Sequence, residues 1–168
     1  MATRDIIVIG ASAGGVQALS TLVKAFPGEL PAAVFIVLHV PADLPSVLPE
    51  ILAREANLSV AHAKHGEAIE HGRVYVAPPD HHLLLEGDHT KLVHGPKENL
   101  HRPSIDALFR SAALWAGPRV MGVILTGARR RHGRNANHQA TRRYHYCSGS
   151  GRSSFCQHAP ERNPQHRR

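Results

Sequence analysis

Apolar and polar residues follow two periods along the first three quarters of the chain, and the changes of period mark out its elements. Ile6-Ile7-Val8-Ile9 is a short β-branched run ending at Gly10. From residue 16 to 26 apolar side chains recur at helical spacing, at Leu19, Leu22, Val23 and Phe26. Pro27-Gly28 ends that helix, and residues 33–38 are apolar throughout, as a strand buried on both faces of a parallel sheet must be. The opening is therefore a β-α-β unit. Residues 44–54 predict another amphipathic helix, and residues 74–77 and 83–85, each followed by a turn signal, predict short strands. The polar stretch 89–101 reads as loop. Residues 104–115 predict a helix with Ser104 as N-cap, Asp106 in its first turn, and Ile105, Leu108, Phe109 and Ala112 on one face. Residues 120–125 predict a further strand. Alternating strands and helices give an α/β fold: a mostly parallel sheet flanked by helices, Rossmann-like and three-layered.

After Gly127 the pattern stops. Residues 128–168 hold almost no aliphatic side chains and show neither period, so they cannot bury enough apolar surface to offset their ordering entropy. A disordered basic tail is expected there, with the sheet cut short at its C-terminal end. Charge follows the same division. The formal net charge of +7 suggests an anionic partner until it is located. Residues 1–127 carry 10 Lys/Arg against 12 Asp/Glu, whereas residues 128–168 carry 10 Arg against the single acid Glu161. The excess belongs to the tail, and no nucleic-acid partner is expected for the body. Cys147 and Cys156 also lie in the tail, outside any metal-ligand spacing, so neither a disulfide framework nor a zinc site is indicated. The first apolar run is too short for a signal-peptide core, and no stretch approaches the ~20 apolar residues of a membrane span. A cytoplasmic protein without membrane insertion is the expectation.

Gly10-Ala11-Ser12-Ala13-Gly14 matches G-x-S-x-G between a predicted strand and a predicted helix. Small residues on both sides let the chain turn sharply, project the Ser12 hydroxyl from the carboxyl edge of the sheet, and leave the N–H groups of the helix start facing an oxyanion. From the motif alone, a Gly/Ser-rich turn that only packs helix against sheet, or cradles a phosphate, fits as well. A dinucleotide site is disfavoured, because serine replaces the second glycine of G-x-G-x-x-G. His39 ends the second strand. Both strands of a parallel β-α-β unit present their carboxyl ends at one edge, so Ser12 and His39 meet at the rim where open α/β sheets place their sites. A histidine there can take the serine proton and pass it to a leaving alcohol; alone, it would read as a strand-end histidine with a local hydrogen bond. His62, His65, His71, His81, His82, His89 and His94 lack metal-ligand spacing and read as surface and loop residues, and no cofactor is implied. Arg102 is placed to contact an anionic group, although Pro103 and Ser104 are explained by a loop and a cap.

Five ordered motifs then carry a resemblance: Ile-Gly-Ala-Ser-Ala-Gly-Gly at 9–15, His39, Gly-Arg-Val-Tyr-Val-Ala-Pro-Pro at 72–79, Arg-Pro-Ser-Ile-Asp at 102–106 and Gly-Val-Ile-Leu-Thr-Gly at 122–127. Together they resemble the catalytic domain of CheB-type protein-glutamate methylesterases, over about residues 5–127. The resemblance implies a Ser-His-Asp hydrolase that removes methyl esters from glutamate side chains of chemoreceptors and, in some members, deamidates glutamines. Its partner would be a methylated chemoreceptor. Many members also carry an N-terminal receiver domain, which this chain, beginning at the first catalytic strand, is expected to lack. The resemblance implies Ser12 as nucleophile and His39 as base. In the family an Asp-Gly soon after the last motif supplies the third member; counted from Gly127, the place of that Asp is Arg131, and no carboxylate occurs from 107 to 160. Back-translation accounts for the change. Permitted codons from Ala128 onward, read one base later, encode Leu-Asp-Asp-Gly-Thr-Ala-Gly and then a family-like Ile-Thr-Ile-Val run. A frameshift at about residue 128 is the expectation, making 1–127 an incomplete catalytic domain and 128–168 its out-of-frame continuation. Three functions follow in order: an impaired methylesterase, a non-catalytic receptor-binding remnant, and a nucleic-acid or phosphate binder led by the basic tail.

Overall fold

The computed structural model describes residues 3–39, 46–125 and 141–143. The main sheet runs in the order β3-β4-β2-β1-β7-β8, in which β1 (Ile6–Ala11), β2 (Ala33–Leu38), β3 (Ser59–His62), β4 (Arg73–Val76) and β7 (Val120–Leu125) are all parallel. A three-residue strand, β8 (Thr141–Arg143), pairs antiparallel with β7 at the edge, and the tail composition gave no sign of it. The rest of the tail, with the position of Arg131, lies outside the described residues.

Side-chain alternation divides the core in two. Ile7, Ile9 and Ala11 of β1, with Val34, Ile36 and Leu38 of β2, pack against Leu19 and Val23 of helix α1 (Val16–Lys24) and against Leu48 and Leu52 of α2 (Leu48–Ala53). Ile6, Val8, Ala33, Phe35 and Val37 pack on the other face, under Leu108, Phe109 and Ala112 of α3 (Ile105–Ala116). Both central strands are buried on both faces, which is why their sequences carry no polar alternation. The three-layer α/β architecture expected from the sequence is the one observed.

The layer over the second face departs from the reading in one respect. The stretch expected as loop from residue 89 contains β6 (His89–Val93), which turns back at Gly87 to pair antiparallel with β5 (His82–Glu86). Leu83 and Leu85 of this hairpin complete the cover beside α3. A second strand that periodicity missed is β3, whose residues are half-buried or exposed at the sheet edge.

Connectivity sets where a site belongs. The strands on one side of β1 are reached through α1 and α2, whereas β7, on the other side, is reached through α3 on the opposite face. The sheet order thus reverses at β1, and the crevice beyond the carboxyl ends of β1 and β7 is the switch point where open α/β sheets bind ligands.

Candidate active site

Ser12 follows β1 immediately, with extended backbone angles (φ −85°, ψ 168°), and is exposed. One 3-10 turn, Ala13–Gly15, closes by a 2.7 Å bond from the Gly15 N–H to the Ser12 carbonyl and runs directly into α1. Gly10, and Gly15 just after the motif, are tightly packed. A methyl group on Gly10 would come within 2.5 Å of Ile105 Cγ2 and 2.9 Å of Ile124 Cδ1, and one on Gly15 within 3.0 Å of the Ala11 Cβ. Gly10 therefore lets the start of α3 press onto the end of β1.

His39 follows β2 in the same way. Ala11 pairs with Leu38, and the His39 N–H donates to the Ala11 carbonyl at 2.9 Å, so the ladder continues one step past the end of β2. Ser12 and His39 stand at matching positions on neighbouring strands, which lie about 4.8 Å apart. Alternation continued by one residue puts both on the α3 side of the sheet. There the His39 ring lies parallel to that of His101, with centroids 3.8 Å apart and planes within 9°. Burial first, and then the positive charge available to His101, hold the His39 imidazole below the ordinary value of 6.5, with the Asp106 carboxylate pulling the other way. The imidazole is accordingly neutral, and able to accept a proton, at neutral pH.

Two further residues of this rim escaped the sequence reading, His101 altogether and Asp106 as more than a helix-start residue. His101 closes a two-residue hairpin with Glu98, bonded reciprocally at 3.1 and 3.0 Å, whose central residues Asn99 and Leu100 have φ of +50° and +68°. Both signs positive describe a type I′ turn. The Asn99 amide donates to the Asp106 carboxylate, and Glu98 accepts from Arg110 at 2.8 Å, so the turn is tied at two points to α3. The one available signal was proximity in sequence to the start of a helix expected at the rim.

Arg102 is committed elsewhere. Its Nε donates to Asp80 Oδ1 at 2.8 Å and another guanidinium nitrogen to the Gly95 carbonyl at 2.7 Å. This pairing, then His94, holds the Asp80 carboxyl below its usual range. Ser104 occupies the expected N-cap position without a side-chain cap bond; its backbone N–H donates instead to His82 Nδ1 at 3.2 Å. His82 is thus corrected from a surface to a buried residue, 3% exposed. Because Nδ1 accepts, Nε2 carries the hydrogen and donates to the Pro96 carbonyl at 2.8 Å. His65, His71, His89 and His94 are exposed, as read. Among the described residues no group of three His, Cys, Asp or Glu side chains is arranged to hold a metal ion, and no helix is long and apolar enough to cross a membrane.

Known proteins of one family resemble this chain in sequence and in fold. Residues 7–137 match the family model described as CheB methylesterase. The chain is 42% identical over 132 residues to a Methanosarcina mazei protein named protein-glutamate methylesterase/protein-glutamine glutaminase 2, covering 74% of this chain and 36% of that one. A Geobacter metallireducens relative, named protein-glutamate methylesterase/protein-glutamine glutaminase 1, is 43% identical over 129 residues, covering 74% and 35%. The chain spans about a third of the length of these curated relatives. The crystal structure of the Thermotoga maritima CheB methylesterase catalytic domain superposes with a TM-score of 0.71 at 32% identity, covering 76% of this chain and 70% of that one.

Proposed function

The chain belongs to the CheB methylesterase family, and from that membership we propose that it is a serine hydrolase acting on methyl esters of glutamate side chains in cytoplasmic chemoreceptor segments. The observation that carries the reading is the register of β1 and β2, which brings Ser12 and His39 to matching ends of neighbouring strands, beside the switch point between β1 and β7. Ser12 Oγ attacks the ester carbonyl while His39 takes its proton. The resulting oxyanion faces the N–H groups at the start of α1, a polarised donor set that costs no reorganisation during reaction. His39 then gives the proton to the departing methoxide, releasing methanol. A water molecule, activated by His39 in turn, cleaves the acyl-enzyme and leaves glutamate. A glutamine amide follows the same course with ammonia as the leaving group.

The third member of the triad is where this chain departs. An acid bonded to the base fixes its tautomer and stabilises the imidazolium, and its loss typically costs about four orders of magnitude in turnover. With Arg131 at that place, we propose that residues 1–127 form the catalytic domain, that 128–168 are a frameshifted continuation, and that turnover is correspondingly low. Methanol release from methylated chemoreceptor tests this directly. A frame-restored chain should release it at least about a thousandfold faster than the present one, and the restored chain with its new Asp changed to Asn should fall back. Equal rates in all three would contradict the account. Tight receptor binding with no turnover even in the restored chain would favour a non-catalytic receptor binder instead.

A further inference from the structure

The parallel contact between His39 and His101 performs work that the proposed reaction has not assigned. We infer that His101 is a positioning residue for His39, setting the plane of the base by ring-on-ring contact rather than by a hydrogen bond. The inference rests on the reading of His39 as base.

A histidine at a sheet rim has two free side-chain torsions, and proton transfer requires the accepting nitrogen to stay aimed at the nucleophile. In a serine triad the acid supplies that aim through Nδ1. Here a flat ring lies 3.8 Å from the His39 ring and within 9° of its plane, leaving little room for the second torsion to turn. The ring that does this is itself held. Reciprocal backbone bonds join Glu98 to His101, Asn99 bonds Asp106, and Glu98 bonds Arg110, so the platform moves only with α3. The same α3 start is pressed onto β1 at Gly10, linking the platform to the strand that carries Ser12.

The contact also couples the two rings electrically. A second charge this close opposes protonation of His39. The other charged groups facing the pair are few. From α3, Asp106 favours protonated His39, and Arg110 is paired with Glu98. From the connection before α3, Arg102 is paired with Asp80. Asp106 is thus the carboxylate whose field compensates the charge on His39 among the described residues.

The test uses the full chain with labelled histidine, comparing wild type, His101→Phe and His101→Ala. The imidazole titration of His39 is followed by long-range nitrogen–proton NMR, and the rate of fluorophosphonate capture at Ser12 is measured across pH. Phenylalanine keeps a flat face without a charge: the His39 midpoint should rise, its ring signals should stay sharp, and capture at pH 8 should match wild type. Alanine removes the face: capture should slow by between about 10- and 100-fold, the usual consequence of a loosely aimed group. Should the alanine chain fail to fold, the phenylalanine chain decides: a capture rate at pH 8 more than about tenfold below wild type, despite the retained flat face, would overturn the inference. An unchanged His39 midpoint in His101→Phe, or undiminished capture in a folded His101→Ala, would overturn the inference. Complete failure of wild type to be captured at Ser12 would instead count against the esterase reading, while the titration would still report whether the rings are coupled.

Discussion

A methyl group added at Gly10 would sit 2.5 Å from Ile105 Cγ2, the methyl of a β-branch whose rotation is restricted in a helix. Gly10→Ala should therefore push the start of α3 off β1 and cost about 1–3 kcal/mol, measured by urea denaturation. Because that helix start carries Asp106 and anchors the turn holding His101, the same change should slow reaction at Ser12. The motif was legible in the sequence, but the reason for its glycines was not: packing partners 95 and 114 residues away leave no local trace. His39 shows the complementary case. Its place at a strand end could be read from an apolar run, whereas its environment depends on a histidine from a polar stretch without period. Burial and His101 lower its proton affinity, so the neutral base persists to lower pH than an ordinary histidine allows. Fluorophosphonate capture at Ser12 should rise with pH and reach half its plateau below pH 6.5; a midpoint above 7 would contradict the burial argument.

Elements with a long apolar period were found from sequence, and those with little burial were not. The strands β1 and β2 fall where the apolar runs placed them, because a strand covered on both faces has no polar positions to confuse its limits, and β7 was found from its apolar run although most of it is only half-buried. The hairpin strand β6 is different: of its five residues only Thr90 is buried, its hydroxyl donating to the Lys64 carbonyl at 2.6 Å. An element that takes its place from one buried threonine reads as loop. His82 links this hairpin to the rim, since its two ring nitrogens bond Pro96 and Ser104 at opposite ends of the connection that carries His101. His82→Ala leaves the buried Ser104 N–H without its partner, a loss of about 1–3 kcal/mol. Amide exchange at Ser104 should accelerate in this variant, with exchange in β1 and β2 little changed; equal protection at Ser104 would show that the clamp is immaterial.

Among the described residues, two helices on one face and a helix with a hairpin on the other cover a sheet whose carboxyl rim carries Ser12 and His39. The opposite rim is fastened by Asp5 and Arg119, which precede β1 and β7 and meet in two bonds of 2.8 and 2.7 Å. The Arg119 hydrogen bond holds the Asp5 carboxyl below its ordinary 3.8 despite burial. A carboxyl depressed on folding stabilises above its unfolded value and loses that contribution as pH falls through the folded one. Asp5→Asn should thus lower stability at pH 7 by about 1 kcal/mol, given that the Arg119 side chain is 42% exposed, and the difference from wild type should shrink below pH 3.8. A constant difference down to pH 2 would place the effect in packing. The layered architecture was legible because alternating periods leave few ways to cover a sheet; the pairing across 114 residues was not, since both partners look like ordinary surface charges in the sequence. The central claim, that Ser12 is the nucleophile at this rim, meets its most direct test in fluorophosphonate capture by the present chain, with the modified residue located by peptide mass spectrometry. One adduct on Ser12, abolished in Ser12→Ala and retained on changing any other serine, is the predicted result. An adduct on a different serine that survives Ser12→Ala would contradict it.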